Sequence, residues 1–309
     1  MGIDKENKKR VEYIRIASYY YKWGLTQNEI SKKINVSRQK VNRMLKECVK
    51  LGIVKFVIPE LEDSYVKLES EIEKKYNLKA VRIAKHGCQE NLYSALGRTG
   101  SEYLMKIFSD GDTIGFSRGR SVSNLVDSIN PRKIKDTTAV QLMGGWNNEN
   151  TNGNSDEIVH RFSEKVNARP AKLYAPVVVE SKILKEAILK EASFLKVYDI
   201  IKSCSISVVG IGNAKYPELI PTMGEKDYSY IKDKAVGEIC THFFDENGDY
   251  IKTPFNDRVI SVEYEDYMNI PIRIGVAGSL EKLKAIKGAV AGKIINVLIT
   301  DFETAKHLL

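Results

Sequence analysis

The sequence predicts an α/β chain of two units. The first is a winged helix-turn-helix over residues 1–58, and the second a largely parallel, doubly wound α/β domain over residues 59–309. Three observations predict this. Capping signals and 3.6-residue apolar periodicity mark three helices before residue 51. Beyond residue 78, short apolar runs alternate with amphipathic helical patterns. The charge is also divided: residues 1–58 hold 14 Lys and Arg against 5 Asp and Glu, a net of +9 in a chain of net +8. A small basic module joined to a near-neutral body is the asymmetry of a chain in which one part meets a polyanion.

In the first unit, residues 10–23 (RVEYIRIASYYYKW) place Val11, Ile14, Tyr21 and the Ile16, Ala17, Tyr20 set at helical spacings, and Gly24 ends that helix. Thr26-Gln-Asn-Glu29 is a capping box, so a second, short helix starts at Gln27 and closes near Ile34, with Asn35 suited to a left-handed turn. Ser37 caps a third helix from Arg38 to Lys50, with Val41, Met44, Leu45 and Val49 on its buried face. The opposite face carries Arg38, Gln39, Lys40, Asn42 and Arg43, residue types that read base edges or clamp phosphates. Gly52 breaks the helix, and IVKFVI alternates as the strand of a wing bearing Lys55. With Thr26, Gln27 and Ser37 at the helix starts, these residues form the candidate DNA-binding set. The alternative is a basic three-helix module that binds protein.

Residues 60–76 space Tyr65, Leu68, Ile72 and Tyr76 by three and four. This is either a dimerising helix or, the favoured reading, a surface helix of the second domain. There KAVRIA, DTIGF, AVQLM, SISVVGIG, PIRIGVAG and IINVLITD read as strands. Helices are expected near 90–108, 121–129, 155–166 and 280–290 and after the last strand.

Ligands of such sheets collect at the carboxyl ends of the strands, and there the chain repeatedly places glycine. DTIGF runs into Ser117-Arg118-Gly119-Arg120-Ser121, AVQLM into Gly144-Gly145, SISVV into Gly210-Ile211-Gly212, and RIGVA into Gly278-Ser279. A glycine turn at a helix start suits an anion. None of these turns is a GxGxxG or GxxxxGKS motif, so neither a dinucleotide nor a Walker nucleotide site is supported.

The remaining composition bounds the function. At 309 residues, 43% hydrophobic and 28% charged, the chain reads as globular, without an apolar run of membrane-spanning length or a secretory leader in Met1–Arg10. A cytoplasmic protein without a membrane partner is expected. Cys48, Cys88, Cys204 and Cys240, and His86, His160, His242 and His307, are scattered without metal-ligand spacing. Neither metal nor cofactor is expected.

Several stretches together resemble the SorC family of bacterial sugar-responsive transcription regulators. They are LTQNEISKKINVSRQKVNRMLKECVKLGIVKFVI, DGDTIGFSRGRSVSNL, VQLMGG, VVGIG, AVGEICTHFFDENGD, VAGSLEKLKAIKGAV and NVLITDFETAKHLL. The resemblance implies an effector domain with the fold of glucosamine-6-phosphate deaminase and ribose-5-phosphate isomerase. It implies a homo-oligomer, dimer or tetramer, that binds double-stranded operator DNA, commonly as a repressor, under control of a sugar or sugar phosphate. The effector-binding residues it implies are Ser117, Arg118, Gly119, Arg120 and Ser121, with Gly144 and Gly145 on the next strand end. Gly212 and Gly278 follow at later strand ends, Asp245 is the implied hydroxyl acceptor, and Lys282 the implied phosphate partner. Two departures stand out: Arg118 replaces an aromatic and Ser121 a Thr. Met143 stands where some members carry a Schiff-base Lys, so covalent capture is not expected. No enzymatic activity is expected; the rival reading is a sugar-phosphate isomerase or deaminase using Asp245, Glu238 or His242.

Overall fold

The computed structural model describes residues 2–55, 65–85, 91–146, 153–215 and 223–309. The chain divides into two compact units, Met1–Ser64 and Tyr65–Leu309.

In the first unit, helix α1 (Gly2–Ala17) continues through a π-turn (Ser18–Lys22) to Gly24, whose φ of 68° turns the chain. Helix α2 (Gln27–Lys33) opens with the capping box: the Thr26 hydroxyl accepts from the Glu29 amide, and Glu29 Oε2 accepts from the Thr26 amide at 2.8 Å. Thr26→Ala is expected to speed amide exchange in α2 about fivefold, the ordinary effect of losing an N-cap; unaltered exchange would show the box to be idle. Asn35 takes a φ of 50° in the turn, and the Ser37 hydroxyl accepts from Lys40 N to cap helix α3 (Arg38–Lys50).

Ile16, Ile30, Val41, Met44 and Leu45 form the buried centre, with Tyr13 and Tyr20 packed on it. Two sequence assignments are corrected. Val11, Ile14 and Tyr21 are exposed, because the inward stripe of α1 and its π-turn is Ile16 and Ala17, buried, with Tyr13 and Tyr20, half-buried, an i, i+3, i+4, i+7 set that leaves them on another face. Val49 is exposed, and Cys48, at i+7 from Val41, is buried in its stead, its thiol reaching the Tyr13 carbonyl at 3.3 Å. Residues 53–55 of the expected wing carry no strand, and 56–58 lie outside the described residues.

The second unit begins with helix α4 (Val66–Tyr76), which buries Ile72 and packs Tyr65, Leu68 and Tyr76 on the main core. That contact makes it a surface helix of this domain. Among the described residues the main sheet contains seven strands: β1 (Ala80–Ala84), β2 (Thr113–Phe116), β3 (Thr138–Gln141), β4 (Arg169–Ala171), β5 (Ile206–Gly210), β10 (Ile272–Val276) and β11 (Val297–Asp301). All pairings are parallel, in the order β1-β11-β10-β5-β2-β3-β4.

Side chains alternate between two cores. Ile206 and Val208 face helices α5 (Leu92–Ile107), α6 (Arg120–Asp127) and α7 (Ser155–Val166), whereas Val209 faces the core holding α4 and residues 285–290. The two helical layers make the sheet doubly wound. After β2 the chain moves outward to β3 and β4; after β5 it moves the other way to β10 and β11. The order therefore reverses between β2 and β5, and a crevice opens at their carboxyl ends.

Several elements escaped the sequence reading, among them the short helices Glu225–Ile231 and Tyr264–Met268. Strand β4 contains Pro170, tolerated because β4 is an edge. Helices α8 (Lys182–Leu189) and α9 (Ala192–Lys202) precede β5. A second, antiparallel sheet joins β6 (Gly212–Asn213), β7 (Gly237–Ile239), β8 (His242–Phe244) and β9 (Tyr250–Ile251). No helix among the described residues is long and apolar enough to cross a membrane.

Candidate functional site

The crevice at the reversal is a cleft of about 280 Å³. Its floor is fixed by one hydroxyl: Ser117 Oγ accepts from the Gly210 amide at 3.1 Å and donates to the Arg118 carbonyl, joining the ends of β2 and β5. Gly119, with a φ of 138°, makes the step into α6, and its amide donates to the Gly153 carbonyl. No side chain caps the start of α6, so the Arg120 and Ser121 end of that helix meets the cleft as a positive dipole end.

Three cations line the cleft. The Arg118 guanidinium lies 4.7 Å from the Trp146 ring centroid and that of Arg120 lies 4.6 Å from Tyr93. Cation–π contacts of this kind hold a guanidinium in place while its edge still donates. Lys282, in the turn after β10, donates to the Ile211 carbonyl at 2.9 Å. Glu238 supplies negative charge, its Oε2 accepting from the Thr241 amide at 3.0 Å. A cleft with cations and a helix start, plus a carboxylate and several hydroxyls, suits a small polyhydroxylated anion.

Of the implied effector residues, the fold brings Ser117, Arg118, Gly119, Arg120, Ser121, Gly212 and Lys282 together. It does not bring four others. A Cβ on Gly144 would lie 2.7 Å from the Ala175 and Pro176 backbone, and Gly145 N donates to the Ala175 carbonyl, so this pair seats one loop on another. Gly278 makes room for the Asp301 carboxylate, which a Cβ there would approach to 2.4 Å. Asp245 Oδ1 accepts from the Asn247 and Asp249 amides, so that carboxylate shapes its own hairpin turn outside the cleft. Sequence reasoning missed Tyr93, Asn213, Thr241 and Glu281 as cleft residues, and had placed Glu238 only in the rival enzyme. Glu238 and Thr241 lie on a hairpin in GEICTHFF that no Asn-Gly turn signal marks.

His242 is buried, its Nε2 against the Val262 carbonyl at 2.7 Å, and burial lowers its pKa. Cys48, Cys204 and Cys240 are free and buried. Burial raises the thiol pKa of Cys204 to about 12 and pushes that of Cys240 well up, so neither is an activated nucleophile. Cys88 and His86 lie outside the described residues. No group of His, Cys, Asp or Glu that could hold a metal occurs among the described residues.

On the first unit, Arg38, Gln39, Lys40, Asn42 and Arg43 are all exposed on one end of α3. Thr26, Ser37 and Lys55 are exposed and Gln27 half-buried. The face is therefore free of the core that the other side of α3 fills.

These two features define a class: a DNA-binding transcription regulator with a sugar-binding domain. A family model described as "Putative sugar-binding domain" matches residues 63–309, and one described as "Winged helix-turn-helix DNA-binding" matches residues 24–55. The chain belongs to the SorC family. It is 30% identical to the deoxyribonucleoside regulator of Bacillus subtilis, over 98% of this chain and 99% of that one. It is 26% identical to the sorbitol operon regulator of Klebsiella pneumoniae, over 96% of each. The crystal structure of full-length SorC from that organism superposes with a TM-score of 0.76, covering 96% of this chain and 97% of that one at 26% identity.

Proposed function

We propose that the chain regulates a carbohydrate-utilisation operon from the cytoplasm as a homo-oligomer. Two α3 faces read successive major grooves of operator DNA, and a sugar phosphate in the cleft shifts the population of DNA-binding arrangements. The observation that carries this reading is the convergence of Arg118, Arg120, Lys282 and the start of α6 at the reversal of strand order. The phosphate lies on these cations and amides, Glu238 accepts from sugar hydroxyls, and Met143 leaves the capture non-covalent. The cleft binds without turnover: the relatives are named as regulators, and of the three acid-base candidates His242 is buried, Asp245 serves its own turn, and Glu238 lines the cleft without either of the others.

The test is the melting temperature against ribose 5-phosphate, 2-deoxyribose 5-phosphate, glucose 6-phosphate and the parent sugars. A relative named as a deoxyribonucleoside regulator makes the pentoses the first to try. A ligand at 100 times its Kd adds about 2.7 kcal/mol of stability. Arg120→Ala is expected to weaken the phosphorylated ligand by about tenfold. An equal shift with the unphosphorylated sugars would sink the anion-site reading.

A further inference from the structure

Part of the cleft wall is the tip of the β7–β8 hairpin. Ile239 and His242 pair directly, so Cys240 and Thr241 alone make the turn. Both have positive φ, 50° and 68°. A two-residue turn of this hand is type I′, whose positions ordinarily go to Asn and Gly, because a Cβ crowds the backbone there and a β-branched residue does so most. Thr at the second position is therefore strained.

Its neighbours hold it. The Thr241 amide donates to Glu238 Oε2 at 3.0 Å, and the Ser261 hydroxyl donates to the Cys240 carbonyl at 2.9 Å. The Thr241 hydroxyl also donates to the Cys240 carbonyl. Glu238 reaches this position because its cross-strand partner is Gly212: a Cβ there would come within 2.2 Å of Glu238 Oε1. The strained turn and the carboxylate that restrains it thus line one cleft.

We propose that the Cys240–Thr241 turn is a sprung sensor of the effector. A ligand hydroxyl donates to the Glu238 carboxylate in place of the Thr241 amide, and Thr241 then leaves the left-handed conformation. The proposal rests on the reading of the cleft as the effector site. Release of the strain adds to effector affinity, so Thr241 is a positioning residue whose backbone, rather than its hydroxyl, contributes. The movement passes to the end of β3, since the Ser261 hydroxyl also contacts the Leu142 carbonyl at 3.2 Å and Met143 bridges to Ser261.

The experiment compares T241G with T241A in the full chain, using the sugar phosphate of the panel above that most raises the wild-type melting temperature. Both variants lose the hydroxyl, but only Gly adopts positive φ freely. T241G is expected to melt above T241A without ligand and to bind the sugar phosphate about fivefold more weakly. In the wild type, ligand should speed amide exchange at Thr241 while slowing it at Gly119–Ser121. Equal affinities for the two variants, or slowed exchange at Thr241, would overturn the proposal. A wild type that no sugar phosphate stabilises overturns the reading of the cleft, and the sensor with it.

Discussion

Arg273→Met is expected to lower the unfolding free energy by about 3–5 kcal/mol, the size expected when several buried or partly buried carbonyls lose a charged donor at once. Arg273 is the second residue of β10 and is buried. Its Nη1 donates to the Met268 and Ile270 carbonyls at 2.8 and 2.7 Å, its Nε to Ile294 at 3.0 Å and its Nη2 to Lys293 at 3.0 Å. These carbonyls lie at and beyond the ends of the helices Tyr264–Met268 and Leu283–Ala291, where the helix dipole is negative and carbonyls lack intrahelical partners. One guanidinium fork satisfies both ends at once. Met matches the stem but leaves four carbonyls, those of Ile270 and Ile294 buried and those of Met268 and Lys293 partly buried, without this donor. Lys, a single point donor, should recover less than half of the loss. Denaturant unfolding measures both variants; a loss under about 1 kcal/mol for Arg273→Met would show that water or neighbouring amides replace the guanidinium.

The elements that were legible in the sequence are those whose signals are local. Thr26 and Glu29 announce a helix start by chemistry alone, and the structure shows both halves of the box. The apolar runs around Val208, Ile274 and Leu298 are read as parallel strands because they are short and alternate with helical patterns long enough to cross over. The helix expected at 155–166 is Ser155–Val166. The small sheet was not legible, because strands of two or three residues are too short to show periodicity, and the Cys240–Thr241 turn lacks the Asn-Gly signal that marks a type I′ hairpin. In the cleft, a glycine near a strand end was visible but its purpose was not. Gly119 and Gly212 line the cleft, whereas Gly144 and Gly278 make room for a backbone and a carboxylate that only the fold brings near. The same holds for Asp245, whose acceptor capacity is used by amides two and four residues on.

Arg43→Ala is expected to weaken binding to DNA from the chain's own promoter region by about tenfold or more, and the Arg38→Ala/Arg43→Ala pair by at least about a hundredfold. Both side chains are exposed, and the buried face of α3, formed by Val41, Met44, Leu45 and Cys48, is untouched, so melting of the variants should match the parent. The salt dependence separates the roles. A residue reading a base edge lowers affinity for the preferred sequence and leaves the slope of log K against log salt unchanged. A phosphate contact lowers affinity on every sequence and reduces the slope by about one. Arg43 lies farther into α3 than Arg38, which stands at its first residue beside the Ser37 cap. Arg43→Ala should therefore relax sequence preference, whereas Arg38→Ala should flatten the salt response. Undiminished affinity for the double variant would remove α3 from the DNA interface. A flat salt response in the parent protein would mark the basic unit as a protein-binding module.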